Sequence, residues 1–192
     1  MLKVGLTAGI GCGKSLIAHV FETIGIPVFY SDKEAKRLYE DESLLNEIAI
    51  KFGKDVVIDG KLQAKKLAAI VFCNEDKLQE LNAMIHPRVF ELFDKWSRKQ
   101  TSPYVIMESA ILFENNLDKH FSKTIGISTP QDIVVKRVMQ RDNCTKEQVL
   151  ERINNQMPQE EKNKLVDYLI HHDDKTMLLP QILRIHEDLL KR

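Results

Sequence analysis

Short apolar runs alternate with stretches of helical spacing along most of this 192-residue chain. Val4 and Leu6 mark a first buried strand. Leu16, Ile17, Val20, Phe21 and Ile24 then recur at the three- and four-residue steps of one helix face, and Gly25 ends that helix. Ile26-Pro27-Val28-Phe29-Tyr30 reads as a second short strand, and a helical pattern follows Ser31-Asp32 through Leu38 and Tyr39. Residues 43–100 are mostly helical, with apolar positions such as Leu44, Leu45, Ile48 and Phe52, then Leu67, Ile70 and Val71, then Leu78, Leu81 and Ile85. Within that stretch an Asp59-Gly60 turn between Val56-Val57-Ile58 and Leu62 predicts a small hairpin. Strand pattern resumes at Tyr104-Val105-Ile106-Met107, closed by Glu108, and again at Thr124-Ile125-Gly126-Ile127. Pro130 opens a further helix. Residues 131–164 are charged and amide-rich, and a last strand at Tyr168-Leu169-Ile170 leads to a helix from about Thr176 to Leu190.

Strands alternating with helices predict a parallel α/β sheet, with the 43–100 stretch as a helical insertion. Ligands of such a sheet sit beyond the carboxyl ends of its strands. A glycine-rich turn, Asp32 and Glu108 all fall there.

The turn runs Ala8-Gly9-Ile10-Gly11-Cys12-Gly13-Lys14-Ser15, and its tail is that of a Walker A phosphate-binding loop. Gly9, Gly11 and Gly13 are expected to let backbone N–H groups point inward at phosphate oxygens, through torsions a side chain would forbid. The helix that starts near Lys14 adds the positive end of its dipole. Lys14 supplies a full charge for the outer phosphates and Ser15 a hydroxyl for Mg2+. Ala8 replaces the usual first glycine, at a position that enters the loop rather than touching phosphate. The dinucleotide fingerprint is not met, because it needs a third glycine where Lys14 stands.

Other groups carry chemistry with plainer alternatives beside it. Asp32 suits a carboxylate that orients an acceptor hydroxyl and takes its proton; a helix N-cap would use the same residue. Glu108 ends a hydrophobic strand, as a Walker B acid does, and is a candidate for Mg2+ or for the acceptor; otherwise it is an exposed strand-end acid. Arg137 and Arg141 are four apart and share a helix face, where forked guanidiniums could neutralise a transferring phosphoryl group or simply meet solvent. Arg152 and Gln156 repeat that spacing, and solvent exposure is the stronger reading for them. His86-Pro87 fits a helix boundary with Pro at the first helical position, or a substrate contact. His171-His172 before Asp173-Asp174 is a poor Mg2+ site, since that ion prefers oxygen ligands, and a better turn beside a nucleotide base. Leu112-Phe113-Glu114 reads as core packing plus a surface acid. Cys12 sits at a helix N-terminus near Lys14, features that lower a thiol pKa, but a small residue filling a small space is by far the stronger reading.

Composition narrows the field. Lys+Arg and Asp+Glu are both 28, so no net charge draws the chain to nucleic acid or membrane. Cys12, Cys73 and Cys144 lack metal-type spacing, and an odd, sparse count suits a reducing cytoplasm. The chain enters its first strand at once, so no signal peptide is expected, and no apolar run approaches membrane-spanning length.

Taken together the motifs resemble dephospho-CoA kinases, over nearly the whole chain and in order. The opening Gly5-Leu6-Thr7 through Ser15 is similar to that family's, with Ala8 for Gly and Cys12 for the common Ser. Ile26-Pro27-Val28 with Ser31-Asp32 and Ala35 matches its second motif, where Asp32 takes the place of the proposed base. Ile85-His86-Pro87-Arg88-Val89 matches its His-Pro motif, and Leu112-Phe113-Glu114 its Leu-Phe-Glu motif. Glu108 stands where Asp is frequent. Gln131, Arg137, Arg141-Asp142, Arg152 and Gln156 follow the lid helices, and Asp167-Tyr168-Leu169-Ile170 the last strand, with His171-His172 in place of the approach to an Asn.

The resemblance implies transfer of a phosphoryl group from ATP, with Mg2+, to the ribose 3′-hydroxyl of dephospho-CoA. It implies a three-layer α/β/α P-loop NTPase fold with a parallel five-stranded sheet, a helical substrate-binding insertion and a helical lid. On that pattern residues 1–30, 103–130 and 165–192 form the core, 31–102 the CoA-substrate domain and 131–164 the lid. ATP would be held by Gly9, Ile10, Gly11, Cys12, Gly13, Lys14, Ser15, Leu16 and Arg141. Asp32, Lys14, Arg137 and Arg141 would be catalytic, Asp32, His86 and Glu108 would meet the acceptor, and Ser15, with Glu108 as second candidate, would hold Mg2+. The expected protein is a cytoplasmic monomer or weak homo-oligomer that uses small-molecule substrates, without nucleic acid or membrane.

Two other readings share some of these features. A kinase of nucleosides or nucleotides has the same loop and lid, but the His-Pro helical insertion argues against it. A GTPase-like switch requires Asp-x-x-Gly, and no Asp has Gly three residues later; Asn163 to Asp167 is one residue too long for the base-reading motif.

Overall fold

In the computed structural model, which describes residues 1–191, β1 (Leu2–Thr7) lies at the centre of a five-stranded sheet. Its sequence suits that place, since Val4 and Leu6 are fully buried. The other strands are β2 (Val28–Tyr30), β5 (Tyr104–Glu108), β6 (Lys123–Ser128) and β7 (Tyr168–His171). They pair in the order β2-β5-β1-β6-β7, all parallel. This is the parallel α/β sheet the apolar runs predict.

Register sets what stands beside what. Leu6 of β1 and Tyr30 of β2 both pair with Glu108 at the end of β5. The acid therefore lies level with the point where β1 gives way to the glycine loop. Every residue of β5 is buried, Glu108 included at 4% exposure, so it is not an exposed strand-end carboxylate.

Helices cover the sheet. α1 (Lys14–Thr23) buries Ile17, Ala18 and Phe21. It packs with α9 (Leu178–Leu190), which contributes Ile182, Ile185 and Leu189 to the same core. Phe21 is wholly buried, so its truncation to Ala would cost about 3–5 kcal/mol. Leu16, expected on the buried face of α1, is 49% exposed. The stripe centres on Ile17 and Phe21, and a residue one step away is turned about 100° from it. α9 starts later than the expected Thr176 because the Asp173 carboxylate accepts from the Lys175 and Thr176 N–H groups and folds that segment into a turn. These bonds hold the Asp173 carboxyl at about 2, below the usual range. α6 (Gln131–Asp142), α7 (Lys146–Asn154) and α8 (Gln159–Leu165) follow β6. A reciprocal Thr145–Gln148 capping box starts α7.

The chain divides into two compact units, Met1–Tyr30 with the chain from Gln100 on, and Ser31–Lys99. The second contains α2 (Ser31–Leu38), α3 (Glu42–Phe52), a hairpin of β3 (Val57–Ile58) and β4 (Lys61–Leu62), α4 (Ala64–Val71) and α5 (Glu75–Ser97). Asp41 and Asn74 cap α3 and α5. Leu44, Ile48, Leu67, Leu81 and Ile85 are buried, as their spacing predicts, and Val89 and Phe93 are buried with them, whereas Ile70 and Leu78 of the same series are only half-buried. Arg88 ties α5 to α3 through Glu47 at 2.6 Å. Pro87 is not at a helix start: it lies inside the 23-residue α5. Proline removes an N–H there and ordinarily breaks a helix, but the apolar series Leu81, Ile85, Val89 and Phe93 continues across it and is buried on both sides of the proline. Among the described residues no helix is long and apolar enough to cross a membrane.

Candidate active site

The glycine loop leaves the carboxyl end of β1 and enters α1. Gly11 has φ +74° and Gly13 φ +90°, torsions in the left-handed region that favour glycine. At Gly13 space forbids a side chain as well, because a Cβ would meet the His172 ring at 2.4 Å. Gly9 differs from the expectation, for its φ is not positive. A Cβ there would stand 3.1 Å from Gln159 Oε1 and 3.3 Å from Gln156 Oε1. Glycine at position 9 thus admits two close side chains rather than an unusual torsion.

Lys14 opens α1 and its ammonium pairs with the Glu108 carboxylate. The two side chains are 14% and 6% exposed, so the pair is little screened by solvent and fixes the ammonium at the loop. Ser15 follows, exposed, in the first turn.

The back of the loop is held by its neighbours. Thr129 Oγ1 donates to the Cys12 carbonyl at 3.2 Å, and His172 Nδ1 donates to the same oxygen at 2.9 Å. His172 Nε2 then accepts from Arg137 at 3.0 Å. That proton arrangement follows from the carbonyl, which can only accept. Arg137 also pairs with Asp174. Arg141 pairs with Asp142 at 2.7 Å, and Arg152 reaches the same carboxylate at 2.6 Å. Those guanidiniums, Arg141 first, hold the Asp142 carboxyl at about 2.

Arg137 and Arg141, one turn apart on α6, line a cavity of about 460 Å3 with Gly13, Lys14, Ser15 and Gln156. The structure therefore brings together the loop and both arginines. Cys12, His171 and Asp173 line a second cavity of about 690 Å3 beside the loop. Asp32 and His86 belong to the other compact unit. Asp32 is exposed in the first turn of α2, which begins at Ser31, so it is inside the helix rather than its cap. His86 is half-buried in α5, and burial lowers its pKa from the ordinary value. Among the described residues no three or more His, Cys, Asp or Glu side chains converge as a metal cluster.

Cys12 follows the packing reading and not the reactive-thiol one. It is 3% exposed, and burial pushes its thiol up, outweighing the Thr129 hydrogen bond and the charges of Lys162 and Arg137. The helix N-terminus does not prevail, because the thiol is removed from the water that would stabilise its thiolate. Brief iodoacetamide treatment at pH 7.5 is expected to alkylate exposed Cys73 and spare Cys12, with activity retained. Rapid Cys12 labelling that ATP suppresses would restore the reactive-thiol reading.

Four groups escaped the sequence reading. Lys162 looks like one more charge on a polar helix, yet its side chain is 1% exposed and pairs with Glu114 at 2.6 Å. Glu114 is accordingly a partly buried anchor and not a free surface acid. Gln159, and Gln156 which had seemed solvent-facing, bond to the loop backbone. Only the amide-rich character of this segment hinted at that role.

Comparison with known proteins follows the same lines. Residues 2–177 match the sequence model of a family described as dephospho-CoA kinase. The dephospho-CoA kinase of Bacteroides fragilis is 36% identical over 186 residues, covering 96% of this chain and 91% of that protein. The crystal structure of TT1252 from Thermus thermophilus is similar with TM-score 0.85 and 31% identity, over 99% of this chain and 96% of that one. A dephospho-CoA kinase structure from Campylobacter jejuni superposes with TM-score 0.68 and 26% identity, over 98% and 97% of the two chains.

Proposed function

This chain belongs to the dephospho-CoA kinase family, and from that premise we propose which residues carry its reaction. The enzyme is a phosphotransferase of coenzyme A biosynthesis. ATP gives its terminal phosphoryl group to the ribose 3′-hydroxyl of dephospho-CoA, forming CoA and ADP. One observation supports the assignment of the ATP site above others: Lys14, Ser15, Arg137 and Arg141 surround a single cavity at the mouth of the glycine loop.

In this reading the loop amides and the start of α1 take the triphosphate. Lys14 leaves Glu108 for the outer phosphates, where its charge meets the negative charge of the transferring group. Arg137 and Arg141 exchange Asp174 and Asp142 for phosphate oxygens, because a more highly charged ligand outcompetes an exposed carboxylate. The acceptor oxygen forms its bond to the γ-phosphorus as the bond to the β–γ bridging oxygen breaks. The hydroxyl proton goes to Asp32, and ADP departs with the bridging oxygen's electron pair. Dephospho-CoA is met by residues 31–102, with His86 among its contacts. Residues 131–164 act as a lid that excludes water, which would otherwise hydrolyse ATP.

The available donors suit Mg2+. The Ser15 hydroxyl and Glu108 carboxylate are hard oxygen ligands, the kind this ion takes, and Glu108 is buried beside Lys14 at the loop. When bound, Mg2+ would offset phosphate charge. The protein is proposed to be cytoplasmic, monomeric or weakly oligomeric, and to act without nucleic acid or membrane.

Purified enzyme with Mg-ATP should convert dephospho-CoA to CoA, with adenosine and AMP as control acceptors. Equal phosphorylation of either control would move the assignment to a nucleoside or nucleotide kinase.

A further inference from the structure

Beyond the residues assigned to the reaction, one buried ion pair lies outside the phosphate cavity and yet connects to the loop through a short series of contacts. Lys162 of α8 is 1% exposed. Its ammonium sits 2.6 Å from Glu114 Oε1 and donates to the Ala110 carbonyl at 2.9 Å. Both partners lie in the segment that follows β5. Glu114 Oε1 also accepts from the Met157 N–H at 3.3 Å, just before α8 begins. The short run from Met157 to Lys162 is thus fastened at both ends to one carboxylate. A lysine ammonium is costly to bury without such partners, so its position in the fold is specific.

The fastened run presents two glutamines to the phosphate loop. Gln156 Oε1 accepts from the Ile10 N–H at 2.9 Å, and Gln159 Oε1 accepts from the Gly9 N–H at 3.1 Å. Gln159 is itself oriented, since its amide nitrogen donates to Asn163 Oδ1 at 2.7 Å. Asn163 in turn donates to Ser128 Oγ at the end of β6 at 3.3 Å. A Cβ at Gly9 would crowd both glutamine oxygens, at 3.1 and 3.3 Å. These two amides lie in the first half of the loop, ahead of the Gly13-Lys14-Ser15 tail.

We propose that Lys162 and Glu114 are positioning residues for ATP: by clamping residues 156–163 they hold Gln156 and Gln159 on the Gly9 and Ile10 amides, and so keep the phosphate loop in its binding shape. A loop that is already shaped loses less conformational freedom when ATP arrives. The moving part of the lid then ends before Gln156, because the segment beyond it is tied to the core. The inference rests on the loop being the ATP site.

The pair is tested with the apolar double variant Glu114→Leu/Lys162→Met, which avoids stranding one buried charge, and with Gln156→Leu at a half-buried position. Each is expected to bind ATP about tenfold more weakly, as loss of one or two hydrogen bonds predicts. KM for ATP should rise in step, with kcat at saturating ATP and KM for dephospho-CoA within about twofold. Combining the two changes should weaken ATP binding no further than the Glu114→Leu/Lys162→Met variant alone, since the clamp acts through Gln156 and Gln159 and the Gln156 contact is already loosened in it. Wild-type ATP affinity in Gln156→Leu, or multiplying losses in the combination, would overturn the proposal. Should the double variant not fold, Gln156→Leu decides alone. Lys14→Ala is the control: if it leaves ATP binding intact, the loop assignment fails and not the clamp.

Discussion

Replacing Asp32 with Asn lowers kcat by about 10²–10⁴-fold, the usual share of a positioned general base, while ATP still binds. The expectation begins with what Asn preserves. It has the shape of Asp and accepts hydrogen bonds through its amide oxygen, but it cannot take the proton of the 3′-hydroxyl. Asp32 is exposed in the first turn of α2, so no core contact is lost. The cost to folding is limited to the carboxylate's favourable interaction with the helix dipole, about 0.3–1 kcal/mol. Activity and stability therefore separate. A purely structural Asp32 would leave turnover nearly intact and shift only the melting temperature slightly. Rapid-quench measurement of a single turnover, alongside ATP binding and a thermal melt, distinguishes the two. Turnover within a few-fold of wild type removes Asp32 from the proton's path.

The contrast between Asp32 and Lys162 shows what can be read from a sequence of this kind. The sheet is legible because its strands are buried: β5 is apolar throughout until Glu108, and Tyr168-Leu169-Ile170 closes the set. The glycine loop is legible because its torsions and its close neighbours exclude side chains, leaving Gly11 and Gly13 as visible marks. Lys162 is not legible, since a lysine in a polar helix looks the same whether it meets water or a carboxylate brought in from a distant segment. The reactive-thiol alternative for Cys12 fails for a related reason. Its local position favours a thiolate, but its burial is a property of the packed fold, and desolvation wins. Pro87 misled because a proline's local preference for helix starts gives way when an apolar face on both sides of it is buried. Local chemistry fixes backbone shape well, whereas the charge state and contacts of a side chain depend on partners that the fold supplies.

Lys14→Met carries the second large effect, a fall in kcat of about 10²–10³-fold, the range seen when one preorganised donor to developing charge is removed. Methionine is unbranched and nearly as long, so it occupies the lysine's channel without displacing α1. What disappears is a positive charge held at the loop by Glu108. In the ground state the triphosphate keeps its other partners, the loop amides and the positive end of α1, so ATP binding falls less than turnover. In the transition state charge shifts toward the β–γ bridging oxygen and the equatorial oxygens, and a single fixed ammonium is worth most there because the site is partly desolvated. Lys14→Arg is expected not to restore the rate: a guanidinium is broader than an ammonium, and this slot leaves the side chain only 14% exposed. The measurement is kcat at saturating ATP beside the ATP dissociation constant for both variants. If Lys14→Met loses affinity and turnover by the same factor, or if arginine restores full rate, the lysine serves as a general attraction for phosphate and its charge is not spent on the transferring group.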